Sequence, residues 1–388
     1  MHLGRFHAVV HELSNFYQLE ILGQKLEACA SNLDSYAQSR TQSHIEAFRS
    51  GIESFRTAAT SVPDFLQQPH SVSVIEQLGL SALVGESLYL AVIGVVNGPH
   101  SYDHVTIAAE LRKLTSSLNS RMASVIAMDK SLGELDVEYE QVNDDESELG
   151  LLIPRELVES TLPQLSKELE KFSGLFRAIN ELTGANTYDP KIRTVSTSWW
   201  QFFIELDAIQ IAAWTAAIER ILTMFKTNLE IKKLQQEVAK HQFSADLQAQ
   251  LEAQIEQRFT DGLQKIASDL RAEFGTGNDE ARLNEVETQL RLGLRHLAHR
   301  LNQGTQVEIN IGIPELNEAA PPPDDESDAA REMRQRIADQ KEKIQKLRDL
   351  REKANAVCVQ TRSLDHTEPG LIRYDDPRSG QSAKETST

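Results

Sequence analysis

Apolar residues recur at steps of three or four through most of this chain, which is the spacing that lines side chains along one face of a helix. Leu19, Leu22, Leu26, Cys29, Leu33 and Tyr36 share such a face. Ile45, Phe48, Ile52 and Phe55 define a second helix over about 43–59. Ser61-Val62-Pro63 ends it, because proline lacks the N–H that the next turn requires. A third helix is predicted from about Val72 to Val96, stopped by Asn97-Gly98-Pro99. A fourth runs from Val105 to Met128 with Ile107, Leu111, Leu114, Leu118, Met122 and Ile126 on one side.

The step then falls to two. Glu134-Leu135-Asp136-Val137-Glu138-Tyr139-Glu140 alternates acid with apolar, the repeat of a half-buried strand. Leu149–Ile153 is a short apolar run closed by Pro154, so the polar stretch between the two predicts a hairpin turn. A helix over about 162–183 buries Leu165, Leu169, Phe172, Phe176 and Ile179. Lys191–Ser196 and Trp200–Ile204 are predicted as further strands. From Asp207 the helical step returns in three long stripes: Ile211 to Leu229, Leu247 to Leu270 and Leu283 to Leu301. Gly275 to Asp279 turns the second into the third, with Asn278 or Asp279 as the cap. Gln306–Ile311 alternates again, as an added edge strand would. The expected fold is therefore mainly α with a small α+β insert, long antiparallel helical hairpins and a C-terminal coiled-coil helix. Its predicted segments are 1–100, 101–206 (the α+β unit), 207–315, a linker at 316–328, the coiled-coil helix at 329–356 and a disordered tail at 357–388.

The linker is legible from composition, with three prolines and four acids in 319–328 and no apolar bulk. Beyond it Ala330, Met333, Ile337, Ile344, Leu347 and Ala354 keep a coiled-coil step, with Gln340 and Arg351 in the remaining seam positions. Such a seam, polar at two places, predicts a self-association surface. Deleting the chain after Ala320 would then leave the folded body intact and lower its oligomeric state.

Charge narrows the function. The 388 residues carry 58 acids and 40 Lys+Arg for a net charge of −18, against the dense basic surface that nucleic acid needs, so no nucleic-acid partner is expected. Cys29 and Cys358 are too few for a disulfide framework. The first residues lack the apolar core of a secretory signal, so a cytoplasmic location is expected. The alternative to a buried helix at Leu78–Val96 is a membrane-active segment, nineteen residues interrupted only by Glu86.

Few constellations carry chemistry. Glu134, Asp136, Glu138 and Glu140, followed by Asp144, Asp145, Glu146 and Glu148, form an acidic strip without one Lys or Arg. It reads as an electrostatic docking face for a basic partner, with a carboxylate-bound metal of an enzyme as a further alternative. His296 and His299 are three apart but lack the HExxH pattern and have Arg295 and Arg300 beside them, so surface histidines are expected. Trp199-Trp200-Gln201-Phe202-Phe203 is expected as core beneath a sheet. There is no Walker-type loop, GxGxxG, GxSxG or supported Cys–His pair, so neither a cofactor nor a catalytic residue is implied. The last helix, Arg331 to Lys353, carries nine Lys/Arg against five Asp/Glu and suits an acidic partner.

The run Glu148-Leu-Gly-Leu-Leu-Ile-Pro-Arg155 resembles an element of a broadly distributed family of uncharacterised, mostly helical bacterial proteins. In that family segments similar to Ile192–Leu206, Ala212–Leu234 and Glu285–Ile311 follow in this order. The resemblance spans about 71–311 and implies helical architecture, with no activity or site residues to transfer. The expected function is a non-enzymatic scaffold or sensor of a bacterial operon, binding a protein partner or forming a homo-oligomer. Its candidate contacts are Glu134, Asp136, Glu138, Glu140, Met333, Ile337, Ile344 and Leu347.

Overall fold

The computed structural model describes residues 2–99, 102–140, 142–144, 146–158, 161–184, 190–196, 200–239, 245–277, 279–315 and 328–362. The chain divides into two compact units, Met1–Gln141 and Val142–Thr388. Its architecture is mainly α with one small antiparallel sheet.

The first unit is built from α1 (Leu3–Glu20), α2 (Leu22–Ser39), α3 (Gln42–Thr60), α4 (Asp64–Gln67), α5 (Pro69–Gln77), α6 (Gly85–Val96) and α7 (His104–Glu134). The apolar stripes of α2, α3 and α7 meet in one core, with Leu26, Cys29, Phe55, Leu111 and Leu118 buried. Helices α2 and α3 approach closely at Gly51, where an added Cβ would stand 2.8 Å from Cys29 Sγ. Helix α7 begins on an Asp103 cap that accepts from the N–H groups of Val105 and Thr106. It packs on α1, α2 and α6, which is why the first unit closes at 141 and takes in a helix expected to start the α+β segment.

Two expectations are corrected here. Leu19 does not share the face of α2: Ile21 adopts a left-handed backbone (φ 46°) that separates α1 from α2, and Leu19 is 81% exposed. The stretch Leu78–Val96 is not one helix. A short 3-10 turn at Ser81–Leu83 precedes α6, whose 12 residues span about 18 Å, well short of a bilayer core of about 30 Å. Glu86 lies exposed in its first turn, where the helix dipole favours a carboxylate, while Leu88 and Val92 are buried. In this structure no single helix of the 78–96 stretch is long enough to span a bilayer.

The second unit holds β1 (Ser147–Ile153), α8 (Leu162–Leu182), β2 (Lys191–Ser196), β3 (Trp200–Glu205), α9 (Ala208–Ala239), α10 (Ala245–Phe274), α11 (Glu280–Asn302), β4 (Gln306–Ile311) and α12 (Asp328–Arg362). Its strands pair antiparallel in the order β2-β3-β1-β4, with Leu149 opposite both Ile204 and Ile309. Strand β4 therefore joins as an edge strand, as its alternation predicts. One face of the sheet presents Leu149, Leu151, Phe202, Ile204, Val307 and Ile309 to the helical core. On the other face Gly150 makes room for the Phe203 ring, which an added Cβ would meet at 2.6 Å.

The long helices form antiparallel hairpins. Phe225 of α9 stacks on Phe259 of α10, with ring centres 6.4 Å apart, while Arg220 pairs with Glu273 nearer the other end. Arg271 of α10 reaches Glu287 at 2.9 Å, and Arg295 of α11 reaches Glu256 at 3.2 Å. Asp279 is the cap of α11, accepting from the N–H groups of Ala281 and Arg282. Residues 208–227 of α9 are long and apolar enough to cross a membrane, yet they form the core helix of this unit, with Ile211, Trp214, Ile218 and Leu222 buried.

Candidate functional site

The acidic strip does not exist as a strand. Glu134 ends α7, and residues 135–140 follow without regular structure along the first turn of α1. The Glu140 N–H donates to the Gly4 carbonyl at 3.2 Å, and Glu138 O lies so close that a Cβ on Gly4 would stand 2.9 Å from it. Leu135 and Tyr139 are exposed, so the alternation marks no buried face. The hairpin with Leu149–Ile153 is corrected accordingly: β1 pairs with β3 and β4 instead. The backbone finds other partners: the Leu135, Asp136 and Val137 N–H groups donate back to the last turn of α7, and Glu140 donates to Gly4 of α1.

The acids are also shared out among cations. Glu140 takes Arg5 at 3.1 Å and His2; Glu146 takes Arg193 at 2.7 Å; Glu134 takes Lys130 at 3.7 Å. Glu148 is buried on the second face of the sheet, where Asn310 donates to both Glu148 and Glu308 at 2.9 Å. Among the described residues no three His, Cys, Asp or Glu side chains surround a common point, so the strip is no hard-cation cage. Glu134, Asp136 and Glu138 are left exposed.

The apolar positions of the C-terminal helix are turned inward. Ile337, Ile344, Leu347 and Ala354 are buried and Met333 is half-buried, at the expected step. Arg351 is exposed, and Leu350 takes its place against the core, so the polar seam position assigned to Arg351 is corrected. Beyond Leu347 the helix packs on β4 and α9 of its own unit, with Val357 and Cys358 in the core. It also closes the open edge of β4: the Val307 N–H donates to Thr361 Oγ1 at 3.4 Å. Burial and the charge of Glu308 push the Cys358 thiol well up, and the Cys29 thiol is pushed up to about 11 by burial, so neither is a nucleophile.

A dense buried polar cluster of the second unit lies between α8 and α11, and it overturns the expectation of surface histidines. Glu168 accepts from His296 Nε2 at 2.8 Å and from Arg300 Nε and Nη2 at 2.7 and 2.6 Å. Glu168 and His296 are buried, and His299 is half-buried. Burial alone would raise the Glu168 carboxyl, but the bonds from His296 and Arg300 outweigh it and hold it at about 2. Burial keeps His296 below its ordinary range against the pull of Glu168, so the ring serves as a neutral donor. His299 is held at about 4, first by burial and then by the charge of Arg300. The helices can approach here because Gly293 faces Leu175, whose Cβ would lie 2.7 Å from an added methyl. Sequence showed the His296 to Arg300 spacing, but nothing in it pointed to Glu168, 128 residues away. The cluster joins two helices with every charge matched; none of its groups is poised near neutral pH to give or take a proton.

Comparison with protein-family models, with curated proteins and with solved structures returns no match.

What remains conspicuous is the length of three helices. Helices α9, α10 and α12 run for 32, 30 and 35 residues, against 21 and 23 for α8 and α11. Ile337 and Ile344 of α12 are buried. Trp200 belongs to the body, half-buried on β3 beneath Arg155 with 5.9 Å from guanidinium carbon to ring centre. Trp199 lies outside the described residues.

Proposed function

We propose that this chain is a non-enzymatic assembly or partner-binding protein, with the long helices α9, α10 and α12 as its contact element. The observation that carries the reading is the length of these three helices, 32, 30 and 35 residues, with exposed positions such as Lys226, Gln257 and Arg336 along them. A helical face is a common recognition element. Residues 328–346 also carry the basic excess that would suit an acidic partner in an otherwise acidic chain. A role in a bacterial operon is what the resemblance of Glu148–Arg155 and the segments after it suggests.

Light scattering on the full chain tests the reading. A species of at least twice the 43.5 kDa chain mass is expected. Replacing residues 230–254 by a short Gly/Ser linker should return it to one chain while the melt of the body persists. A full chain that stays single at every concentration, or a shortened variant that keeps its assembly, overturns the proposal.

A further inference from the structure

The last stretch of the first unit, 135–140, is strapped to α1 by side chains that titrate. His2 and Arg5 pair with Glu140, the latter at 3.1 Å, and the Glu140 N–H donates to the Gly4 carbonyl at 3.2 Å. Further along α1, His7 and His11 share one face of the helix, and the Tyr139 ring sits against both, with ring centres 4.4 and 4.5 Å away. His7 is 1% exposed. Its Nδ1 lies 2.5 Å from the Val137 carbonyl and its Nε2 lies 3.3 Å from Asp129 Oδ1 of α7. Both neighbours are acceptors, so the two contacts together need a proton on each ring nitrogen, which makes the ring an imidazolium paired with Asp129. His11 makes no such demand. Its Nδ1 donates to Asp129 at 3.1 Å while its Nε2 accepts from Asn15 at 3.0 Å, a set that a neutral ring completes. Helices α4 and α5 also pack on α1, and among the described residues neither brings a charged group into an ion pair with His7.

We propose that His7 is the latch of a pH-sensitive strap: its imidazolium holds residues 137–140 against α1 and α7, and loss of one ring proton releases them. A neutral ring can donate to Val137 or to Asp129 but not to both, and the acceptor left facing a buried lone pair loses its partner. The charge of the ring is also what answers the Asp129 carboxylate, which His11 meets only as a neutral donor. The strap is therefore closed below the range in which histidine titrates and opens as pH rises through it. Tyr139, wedged against both rings, leaves with it. Opening frees 137–140, the chain that leads into β1 of the second unit.

The test reads amide hydrogen exchange of the full chain at about pH 6 and about pH 8.5, either side of the histidine range, with each rate divided by that of the unfolded chain at the same pH. Protection at the Val137 and Glu140 amides should be at least about tenfold greater at the lower pH, while the buried α2 positions Leu26 and Leu33 stay level. Asp129→Asn presents an acceptor to His11 and an amide donor to His7, so the latch no longer needs the charge and the protection ratio should fall to near one. Asp129 is 18% exposed, which spares the core of the first unit. In chain carrying ring-labelled histidine, magnetic resonance should show both His7 nitrogens protonated at the lower pH and only one at the higher. A His7 ring already neutral at the lower pH, equal protection at the two pH values, or a variant that keeps the parent's ratio overturns the latch.

Discussion

Glu168 shows how much one residue can owe to partners distant in sequence. Its carboxylate is ionised in the fold because Arg300 and His296 supply three hydrogen bonds that its burial takes away from water. The folded value of about 2 lies below the ordinary 4.5. The stabilisation is therefore complete above about 4.5 and is lost as pH falls through 2, on the order of 3 kcal/mol. His299 acts earlier, since the fold keeps it neutral down to about 4 whereas the unfolded ring takes its proton near 6.5. Urea melts between pH 7 and pH 3 should thus show stability declining first below about 6.5 and again below about 4.5. Glu168→Gln should destabilise the second unit by about 3–5 kcal/mol and abolish the lower stage. An unchanged pH profile in that variant would remove Glu168 from the account. His296 and Arg300 are readable as a helical i, i+4 pair, but burial is not a property of that spacing.

At the scale of elements, the sequence pattern located most of the helices and all four strands, and it added one strand, 134–140, that does not form. Residues 134–140 alternate perfectly, yet their backbone bonds to the last turn of α7 and, at Glu140, to Gly4 of α1, and the Glu140 carboxylate meets Arg5 and His2. Alternation says which residues share a side; it does not say that a neighbouring strand is there to pair with. Helix α12 is the opposite case, its seam legible and its occupant not. The truncation after Ala320 expected to spare the body now has a different outcome. It removes Leu347, Val357 and Cys358 from the core and uncovers the β4 edge. Each fully buried Leu or Val is worth about 1.5–3 kcal/mol, so the truncated chain should lose a cooperative melt of the second unit and aggregate. A truncated protein with the parent's denaturant midpoint would show that α12 is an appendage after all.

At the scale of the molecule, two separate cores stand in the two units, one lined by α2, α3 and α7 and the other by the sheet and α8 to α12. A unit with its own core and capped helices meets the conditions for independent folding. Residues 1–141 expressed alone should therefore give a helical circular-dichroism spectrum and a single cooperative transition. A fragment that is unfolded at 25 °C would show that the first unit depends on the rest of the chain. The boundary was not visible in composition because no proline- or glycine-rich stretch marks it; 141 is flanked by the same acidic residues that run through 134–148.

The sequence by itself determined which segments are helices, where most of them stop and which of their faces are apolar, because these follow from local sterics and from the hydrophobic period. It likewise settled the net charge and the scarcity of cysteine. Only the tertiary structure decided that Leu78–Val96 is broken, that α12 folds back on its own unit, and that Glu168 meets His296 and His7 meets Asp129. Those outcomes depend on which surfaces compete for the same buried space and for the same hydrogen bonds. That competition is settled between residues more than a hundred positions apart, beyond the reach of any local pattern.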